Sequence, residues 1–181
     1  YYIDRTNYIP MLEDHGDVLL FLRPPRFGKS LLLSMLENYY DVKKADEFDR
    51  LFGHLAIGQN PTPRHNRYFV LHWDFSAVQT SGTAQHVMVS FYQHINDSVK
   101  VFKTHYQDML DHEIELDERD GLGSFYRLLA VTHITSYPVY LFIDEYDHFA
   151  NEVLAAQRNG DQERYQELLE CESIFNTILK I

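Results

Sequence analysis

A glycine, a lysine and a serine follow one another within the stretch VLLFLRPPRFGKSLLLSML, which covers residues 18–36. In a phosphate-binding loop, backbone N–H groups and the N-terminus of the next helix contact phosphate oxygens. In this pattern Lys29 would bring a positive charge to the β- and γ-phosphates, and Ser30 would place its hydroxyl on a magnesium ion. Gly28 would let the backbone approach the ligand, because glycine has no Cβ. The stretch therefore predicts a site for the phosphates of a nucleotide with Mg²⁺.

The loop departs from the full phosphate-loop pattern at its first position, where Arg23 stands in place of glycine. Pro24 and Pro25 would make the tight turn instead, because each fixes φ near about −65°. Proline has no N–H to donate, so the predicted phosphate contacts come from the amides of the next six residues. These are Arg26, Phe27, Gly28, Lys29, Ser30 and Leu31. Gly-Lys-Ser alone is a weak signal, and a structural turn before a helix is the alternative interpretation.

A second candidate site lies at Asp144 and Glu145, which directly follow the apolar run 139–143. An aspartate in this position would bind the metal, and the next glutamate would orient and deprotonate a water molecule. Acidic residues can also simply end a strand. The two motifs support each other, because each follows an apolar run and they occur in the order that a P-loop ATPase requires.

The elements around these motifs indicate an α/β protein. Three short apolar runs predict buried strands, at 18–22, 68–73 and 139–143, while the spacing of apolar residues predicts helices over 30–40, 83–111, roughly 124–134 and 161–180. Residues 58–67 are typical of a loop, and Gly121 and Gly123 are expected to interrupt the chain. Strands that are apolar throughout, separated by helices, indicate a mostly parallel sheet with helices on both faces, a three-layer arrangement. Ligands bind beyond the carboxyl ends of such strands, where the loop, Asp74 and Asp144 all fall.

Composition narrows the function classes. The 181 residues suit one domain, and we expect a single domain over 1–181. The net charge of −11 disfavours a broad contact with nucleic acid or an anionic membrane. No apolar run approaches the roughly 20 residues that span a bilayer, so no membrane contact is expected. Cys171 is the single cysteine, which excludes an internal disulfide and fits a reducing, cytoplasmic location.

The segment YYIDRTNYIPMLEDHGDVLLFLRPPRFGKSLLLSMLENYY resembles the opening of the AAA-ATPase-like family, a P-loop NTPase domain often fused to a PD-(D/E)XK nuclease-like domain. That family carries Tyr-Tyr-hydrophobic-Asp-basic-Thr, followed by Arg-Pro-Arg-Arg-Phe-Gly-Lys-Ser. Pro25 stands where the family has an arginine. The stretches FVLHWDFS (69–76) and VYLFIDEYD (139–147) resemble the family's second and acidic strands. The matching residues of the two opening motifs are Tyr1 to Thr6, Arg23, Pro24, Arg26, Phe27, Gly28, Lys29 and Ser30.

The resemblance implies an ATPase core of the additional-strand (ASCE/AAA-like) type that uses ATP and Mg²⁺. It implies that Glu145 is catalytic together with Lys29, and that Ser30 and Asp144 are metal ligands. It also implies a later strand with a polar sensor residue and a C-terminal nuclease-like domain, neither of which lies in residues 1–181. The chain is therefore expected to be a piece of a longer protein, with assembly into a homo-oligomer left open.

Several other residues carry two interpretations each. Arg23 and Arg26 would contact phosphates or a neighbouring subunit, or form salt bridges with Asp74 or Asp144. Asp74 and Ser76 would lie near the metal, although capping of the next segment is the favoured interpretation for Asp74. Asp147 is expected to begin a helix, and His148 is the histidine nearest to the acidic pair. The ten histidines show no spacing typical of a zinc site.

Four functions are compatible with this fold, since fold alone does not select a function. They are an ATPase that drives or gates an attached effector, a nucleotide switch without turnover, a small-molecule phosphotransferase and a DNA-binding module. Glu145 disfavours a pure switch, because a switch needs no catalytic base. The phosphotransferase would need an arginine-rich lid, which the sequence does not show. The acidic net charge disfavours the DNA-binding module, and the ATPase is the preferred hypothesis.

Overall fold

The computed structural model describes residues 3–21, 27–79 and 82–145. The chain divides into two compact units. Unit 1 is Tyr1–Val70 with Ser136–Tyr140, and unit 2 is Leu71–Thr135 with Leu141–Ile181.

The described residues form a mixed α/β structure, which confirms the predicted class. The helices are Ile9–Asp14 (α1), Lys29–Tyr40 (α2), Phe48–Phe52 (α3), Ala56–Gln59 (α4), Ala84–His105 (α5) and Gly121–His133 (α6). The strands are Phe69–Asp74 (β1) and Val139–Asp144 (β2), and 3₁₀ turns cover Thr6–Tyr8, Val42–Glu47 and Phe75–Ala77.

Strands β1 and β2 pair in parallel, as the apolar runs predicted. The Phe69 N–H donates to the Pro138 carbonyl at 2.9 Å, which in a parallel ladder aligns Phe69 with Val139. Because both strands have six residues, this register places Asp74 opposite Asp144 at their carboxyl ends. The predicted convergence of these two acidic positions at one sheet edge is therefore confirmed.

Unit 2 is built on the buried face of β1. Leu71 and Trp73 are 2% and 0% exposed, and they alternate with the exposed His72. The Trp73 ring packs edge-on against Phe125 of α6 with centroids 5.0 Å apart, and its Nε1–H donates to Ser98 Oγ of α5 at 2.9 Å. Burial of side chains of this size contributes about 1.5–3 kcal/mol each. The end of β1 is thereby fixed in position by both long helices.

The two long helices of unit 2 follow local sequence signals. Thr83 caps α5 by accepting a hydrogen bond from the His86 amide, and Asp120 caps α6 by accepting one from the Gly123 amide at 2.8 Å. Gly121 and Gly123 therefore lie inside the first turn of α6, and the prediction that they interrupt the chain before the helix was wrong. A Cβ on Gly121 would lie 2.7 Å from the Tyr92 carbonyl oxygen, so glycine allows α6 to approach α5 closely.

Helix α5 ends at His105, although its apolar spacing continues to Leu110. Tyr106 leaves the helical conformation, and Lys103 Nζ donates to the Ile114 carbonyl at 2.6 Å, so the chain folds back. Ile114 is 1% exposed after this turn. The apolar positions beyond His105 are thus used in a turn, which shortens the predicted helix 83–111.

Unit 1 has a core of aromatic and aliphatic side chains from its helices. Its N-terminal segment is fastened to α4, because Asp4 Oδ2 accepts from the Ala56 amide at 2.7 Å and Thr6 Oγ1 from the Ile57 amide at 3.1 Å. These two side chains satisfy first-turn amides of α4 that have no partner within the helix. The most buried apolar members of this core are Ile9, Tyr39, Tyr40, Phe52, Ile57 and Phe69.

The predicted strand at 18–22 is not formed over the part that the structure describes. Residues 18–21 lie in no helix or strand, and Val18 and Leu20 are 69% and 74% exposed. A buried strand needs a neighbouring strand to satisfy its backbone, and the local apolar pattern does not provide one. The predicted helix over 161–180 lies outside the described residues. Within those residues, no helix combines the length and apolar character needed to cross a bilayer.

Candidate functional site

Gly28 gives the predicted loop a defined backbone geometry in unit 1. It is the N-cap of α2, with φ +79° and ψ 26°, in the left-handed region. Its carbonyl accepts the Leu32 N–H at 3.0 Å, so the helix begins directly after it. A Cβ at this position would meet nothing within 4 Å. The glycine is therefore required by its backbone conformation, and the space beside it is open.

The residues after Gly28 form the first turn of α2, as predicted for a phosphate-binding loop. Lys29 is half-buried and Ser30 is exposed, while Phe27 and Leu31 are 65% and 61% exposed. The N-terminus of a helix carries a partial positive charge and favours anions. A cationic side chain, a hydroxyl and first-turn amides thus lie together, which is a donor set suited to a phosphate group with a magnesium ion.

The rest of the predicted loop lies outside the described residues. This applies to Arg23, Pro24, Pro25 and Arg26, and to Asp147 and His148 beyond the acidic pair. The two interpretations of the arginines, and the predicted contact of the Arg26 amide with phosphate, stay predictions.

The acidic pair lies at the end of β2 in unit 2, as the sequence predicted. Asp144 is the last residue of the strand and is half-buried, and its Oδ1 accepts the Glu145 amide at 2.9 Å. Glu145 has φ +54°, a left-handed conformation that is uncommon for a residue with a Cβ. Such conformations cost about 1–3 kcal/mol and concentrate at functional sites. The pair therefore combines two carboxylates with a locally strained backbone.

Asp74 lies opposite Asp144, and its side chain caps the turn that follows β1. Its Oδ1 accepts the Ser76 amide at 2.9 Å, which confirms the favoured capping interpretation. Burial acts to raise the pKa of Asp74, but hydrogen bonds from Ser76 and the nearby His72 and His94 hold this pKa below its ordinary value. The carboxylate is thus ionised and fixed at the sheet edge that also carries Asp144.

His94 of α5 is a neighbour of Asp74 that the sequence did not single out. Its ring lies against Phe75 with centroids 6.0 Å apart, and among the described residues its buried Nε2 has no hydrogen-bond partner. Burial lowers the pKa of His94, although Asp74 and Asp97 act in the opposite direction. The apolar periodicity of α5 identifies Ile95 as buried but gives no signal for His94 beside it. The sequence therefore did not indicate that His94 lies near Asp74.

No group of three or more His, Cys, Asp or Glu side chains that could hold a metal ion occurs in the part of the chain that the structure describes. A magnesium ion commonly uses only one or two protein carboxylates and keeps several waters or phosphate oxygens. A hydroxyl, such as that of Ser30, and a carboxylate, such as that of Asp144, are each a type of ligand that such an ion takes.

The structure also gives a role to the opening motif YYIDRT. Asp4 and Thr6, which the sequence marked only through a family resemblance, fasten the N-terminal segment to α4 as described above. Thr6 also donates from its amide and its hydroxyl to Asp4 Oδ1, at 2.9 and 2.7 Å. Bonds between positions some fifty residues apart leave no local pattern, so sequence reasoning could not have assigned this role.

Comparison with known proteins agrees with the resemblance drawn from these motifs. No curated protein and no solved structure gives a significant match to the chain. A family model described as a predicted AAA-ATPase matches residues 1–180, nearly the whole sequence. The chain therefore belongs to the AAA-ATPase-like family.

Proposed function

We propose that this chain is a P-loop ATPase module, with a three-layer fold of the additional-strand type, that binds and hydrolyses ATP with Mg²⁺. The observation that carries the proposal is Gly28, held left-handed at the start of α2 and followed by Lys29 and Ser30. Family membership supports nucleotide binding in general terms.

In unit 1, Lys29 would supply positive charge to the phosphates, and Ser30 would bind the magnesium ion. The amides of Phe27, Gly28, Lys29, Ser30 and Leu31, together with Arg26, would receive the phosphate oxygens. A helix N-terminus stabilises negative charge there because its amide dipoles are already oriented. These residues bind and orient the nucleotide, and none of them forms a covalent bond with it.

In unit 2, Asp144 would bind the magnesium ion and Glu145 would orient the attacking water and accept its proton. Magnesium, when bound, neutralises charge on the phosphate oxygens. A general base typically contributes a factor of about 10²–10⁴ to the rate. Glu145 directly follows the last residue of β2, and ligands of parallel sheets bind beyond the carboxyl ends of the strands, which supports this assignment.

We further propose that the module drives or gates an attached effector domain. Family resemblance alone supports a nuclease-like domain of the PD-(D/E)XK type as that effector. The acidic net charge of −11 favours contact with a protein domain over direct contact with nucleic acid.

The test is calorimetry of an ATP analogue with Mg²⁺ on the unaltered chain, Lys29→Ala and Glu145→Gln, combined with measurement of phosphate release. Lys29→Ala should weaken binding at least about tenfold, because it removes a charge-assisted contact. Glu145→Gln should bind like the unaltered chain and release phosphate at least about a hundredfold more slowly. Binding without phosphate release, equal in the unaltered chain and Glu145→Gln, would identify a non-hydrolysing switch instead. Absence of binding in both this chain and the full-length protein would refute the proposal.

A further inference from the structure

The half-buried carboxylate of Glu13 connects helix α1 to the last residue of helix α2. Glu13 of α1 accepts two hydrogen bonds at Oε1, from the Tyr40 hydroxyl at 3.1 Å and from Thr62 Oγ1 at 2.8 Å. Tyr40 is the last residue of α2, and both Tyr40 and Thr62 are buried. All three residues belong to unit 1. Together with Tyr39 we call them the latch.

The hydrogen bonds of the latch have one consistent direction. Thr62 gives its only hydroxyl proton to Glu13, so the Tyr39 hydroxyl must donate to Thr62 Oγ1, at 3.0 Å. The Tyr39 oxygen in turn accepts the Thr62 amide at 2.9 Å. Burial raises the pKa of both Tyr39 and Tyr40, which keeps their hydroxyls protonated as donors. The network ends on Oε1 of Glu13, which accepts from both Tyr40 and Thr62.

Ring packing holds Tyr40 rigidly. Its ring stacks on Tyr140, with centroids 4.8 Å apart and planes 14° apart, and meets Tyr68 edge-on at 5.6 Å. Tyr40 is 2% exposed. The end of α2 therefore has one defined position within unit 1, set by packing and by the bond to Glu13.

The described residues on either side of the proposed loop contrast with this packing. Residues 15–21, which follow α1, lie in no helix or strand and are exposed, as are Phe27 and Gly28 just before α2. The bond between Glu13 and Tyr40 ties α1 to the last residue of α2. A 12-residue helix is a stiff rod of about 18 Å, so fixing its last residue restricts the direction of its first turn.

We propose that Glu13 and Tyr40 are positioning residues for nucleotide binding: they hold α1 against the end of α2 and so preorganise Gly28, Lys29 and Ser30. This inference rests on the proposed function of that loop. Preorganisation raises affinity because less ordering remains to be done on binding. Neither residue needs to touch the nucleotide for this effect.

The experiment compares Tyr40→Phe, Glu13→Ala and Glu13→Gln by calorimetry with an ATP analogue and Mg²⁺, well below the unfolding temperature of every variant. Tyr40→Phe removes one hydroxyl and keeps the ring, and should weaken binding about threefold to tenfold. Glu13→Ala should weaken it more, and Glu13→Gln should restore most of the affinity, because its amide oxygen still accepts. Ser98→Ala is the matched control, since it removes the hydroxyl that accepts from Trp73 in unit 2.

Ser98→Ala should lower the unfolding temperature without changing affinity, which separates positioning from general destabilisation. Equal affinity in the unaltered chain and Tyr40→Phe, or equal weakening in Tyr40→Phe and Ser98→Ala, would overturn the inference. Amide exchange of residues 27–31 without nucleotide gives a second readout, which Tyr40→Phe should accelerate and Ser98→Ala should not. If neither the unaltered chain nor the full-length protein binds nucleotide, the proposed function fails. Independently of that result, unchanged amide exchange of residues 27–31 in Tyr40→Phe would show that the latch does not order these residues.

Discussion

Two segments of similar sequence lead into the two proposed sites, and the structure treats them differently. Residues 18–21, Val-Leu-Leu-Phe, are exposed and form no strand, whereas Val139–Asp144 forms β2 and buries Phe142 to 4% exposure. Both runs are apolar, and the sequence predicts a strand for each of them. The difference is that β2 pairs in register with β1. This pairing satisfies the backbone of β2 and allows Phe142 to be buried.

An apolar run therefore indicates a tendency to be buried, but it does not determine which other strand it pairs with. For β2 the partner is defined by the Phe69–Pro138 hydrogen bond and by the tyrosine rings packed around Tyr140. Residues 18–21 lie in no strand of the described structure. Unit 1 consequently exposes more large apolar side chains than unit 2 among the described residues, and those of unit 1 all lie within residues 3–31.

Alanine substitutions in the two segments test this contrast directly. Phe142→Ala should lower the free energy of unfolding by about 3–5 kcal/mol, because it leaves a cavity. Leu20→Ala should change it by no more than about 0.5 kcal/mol, as at other exposed positions. Urea unfolding gives both values, and Leu71→Ala, a leucine 2% exposed in β1, provides the buried-leucine reference. A loss at Leu20 as large as at Leu71 would show that residues 18–21 are buried in solution, as the sequence predicted.

The residues proposed to bind the nucleotide share a backbone feature in the two units. Gly28 before α2 has φ +79° and Glu145 after β2 has φ +54°, so both are left-handed. Glycine adopts this conformation without steric cost, whereas a residue with a Cβ loses about 1–2 kcal/mol. The chain therefore accepts strain at the glutamate and avoids it at the glycine, which fits a side chain retained at position 145 for its chemistry.

Comparing glycine with alanine at positions 28 and 145 tests this difference, and the expected changes in the free energy of unfolding are smaller than for Phe142→Ala. Gly28→Ala should destabilise by about 1 kcal/mol through strain alone, because the added Cβ meets no atom within 4 Å. Glu145→Gly should likewise be more stable than Glu145→Ala by about 1 kcal/mol.

The control is Ser34, an exposed residue in the interior of α2, where alanine should be more stable than glycine by about 1 kcal/mol. Urea unfolding measures the five variants and the unaltered chain. An alanine preference at position 28 or 145 would mean that the backbone there is not left-handed in solution.

Sequence reasoning identified the elements whose signals are local. Helices α2 and α6 and strands β1 and β2 were predicted within a few residues, because apolar spacing marks them. Helix α5 was predicted with the right start, but its end at His105 lies before the predicted end at 111. Capping by Asp74 was also predicted correctly, since the interaction joins residues two positions apart. The positions of Lys29 and Ser30 in the first turn of α2 followed from the same local signals.

The short helices α1, α3 and α4 were not predicted, and α4 overlaps residues assigned to a loop. Such helices are too short to be stable alone and depend on distant groups, as α4 depends on Asp4 and Thr6. The latch was missed for the same reason, because Glu13 and Thr62 are far apart in sequence. The assigned roles of Lys29, Ser30, Asp144 and Glu145 stay predictions until nucleotide binding and turnover are measured.

The pH dependence of stability offers the smallest but most local test, at the end of β1 opposite Asp144. The pKa of His94 is lowered by burial in the folded state, so the folded chain binds fewer protons and loses stability as pH falls from about 6.5 towards the folded pKa. The pKa of Asp74 is also lowered: burial opposes this, but the Ser76 hydrogen bonds and nearby histidines prevail. The contribution of Asp74 to the stability of the folded chain is therefore present above about pH 4 and is lost as pH falls through its folded-state pKa.

Unfolding temperature measured against pH should therefore fall in two separate steps in the unaltered chain. His94→Asn should remove the step near neutrality and diminish the acidic one, because Asp74 loses a neighbour that lowers its pKa. Asp74→Asn should remove the acidic step and deepen the step near neutrality, because the carboxylate that raises the pKa of His94 is gone. Ser76→Ala is a useful third variant, since it should reduce the acidic step and leave the histidine step in place. If Asp74→Asn leaves the histidine step unchanged, the two groups are not neighbours in solution, and the end of β1 is arranged differently from the structure described here.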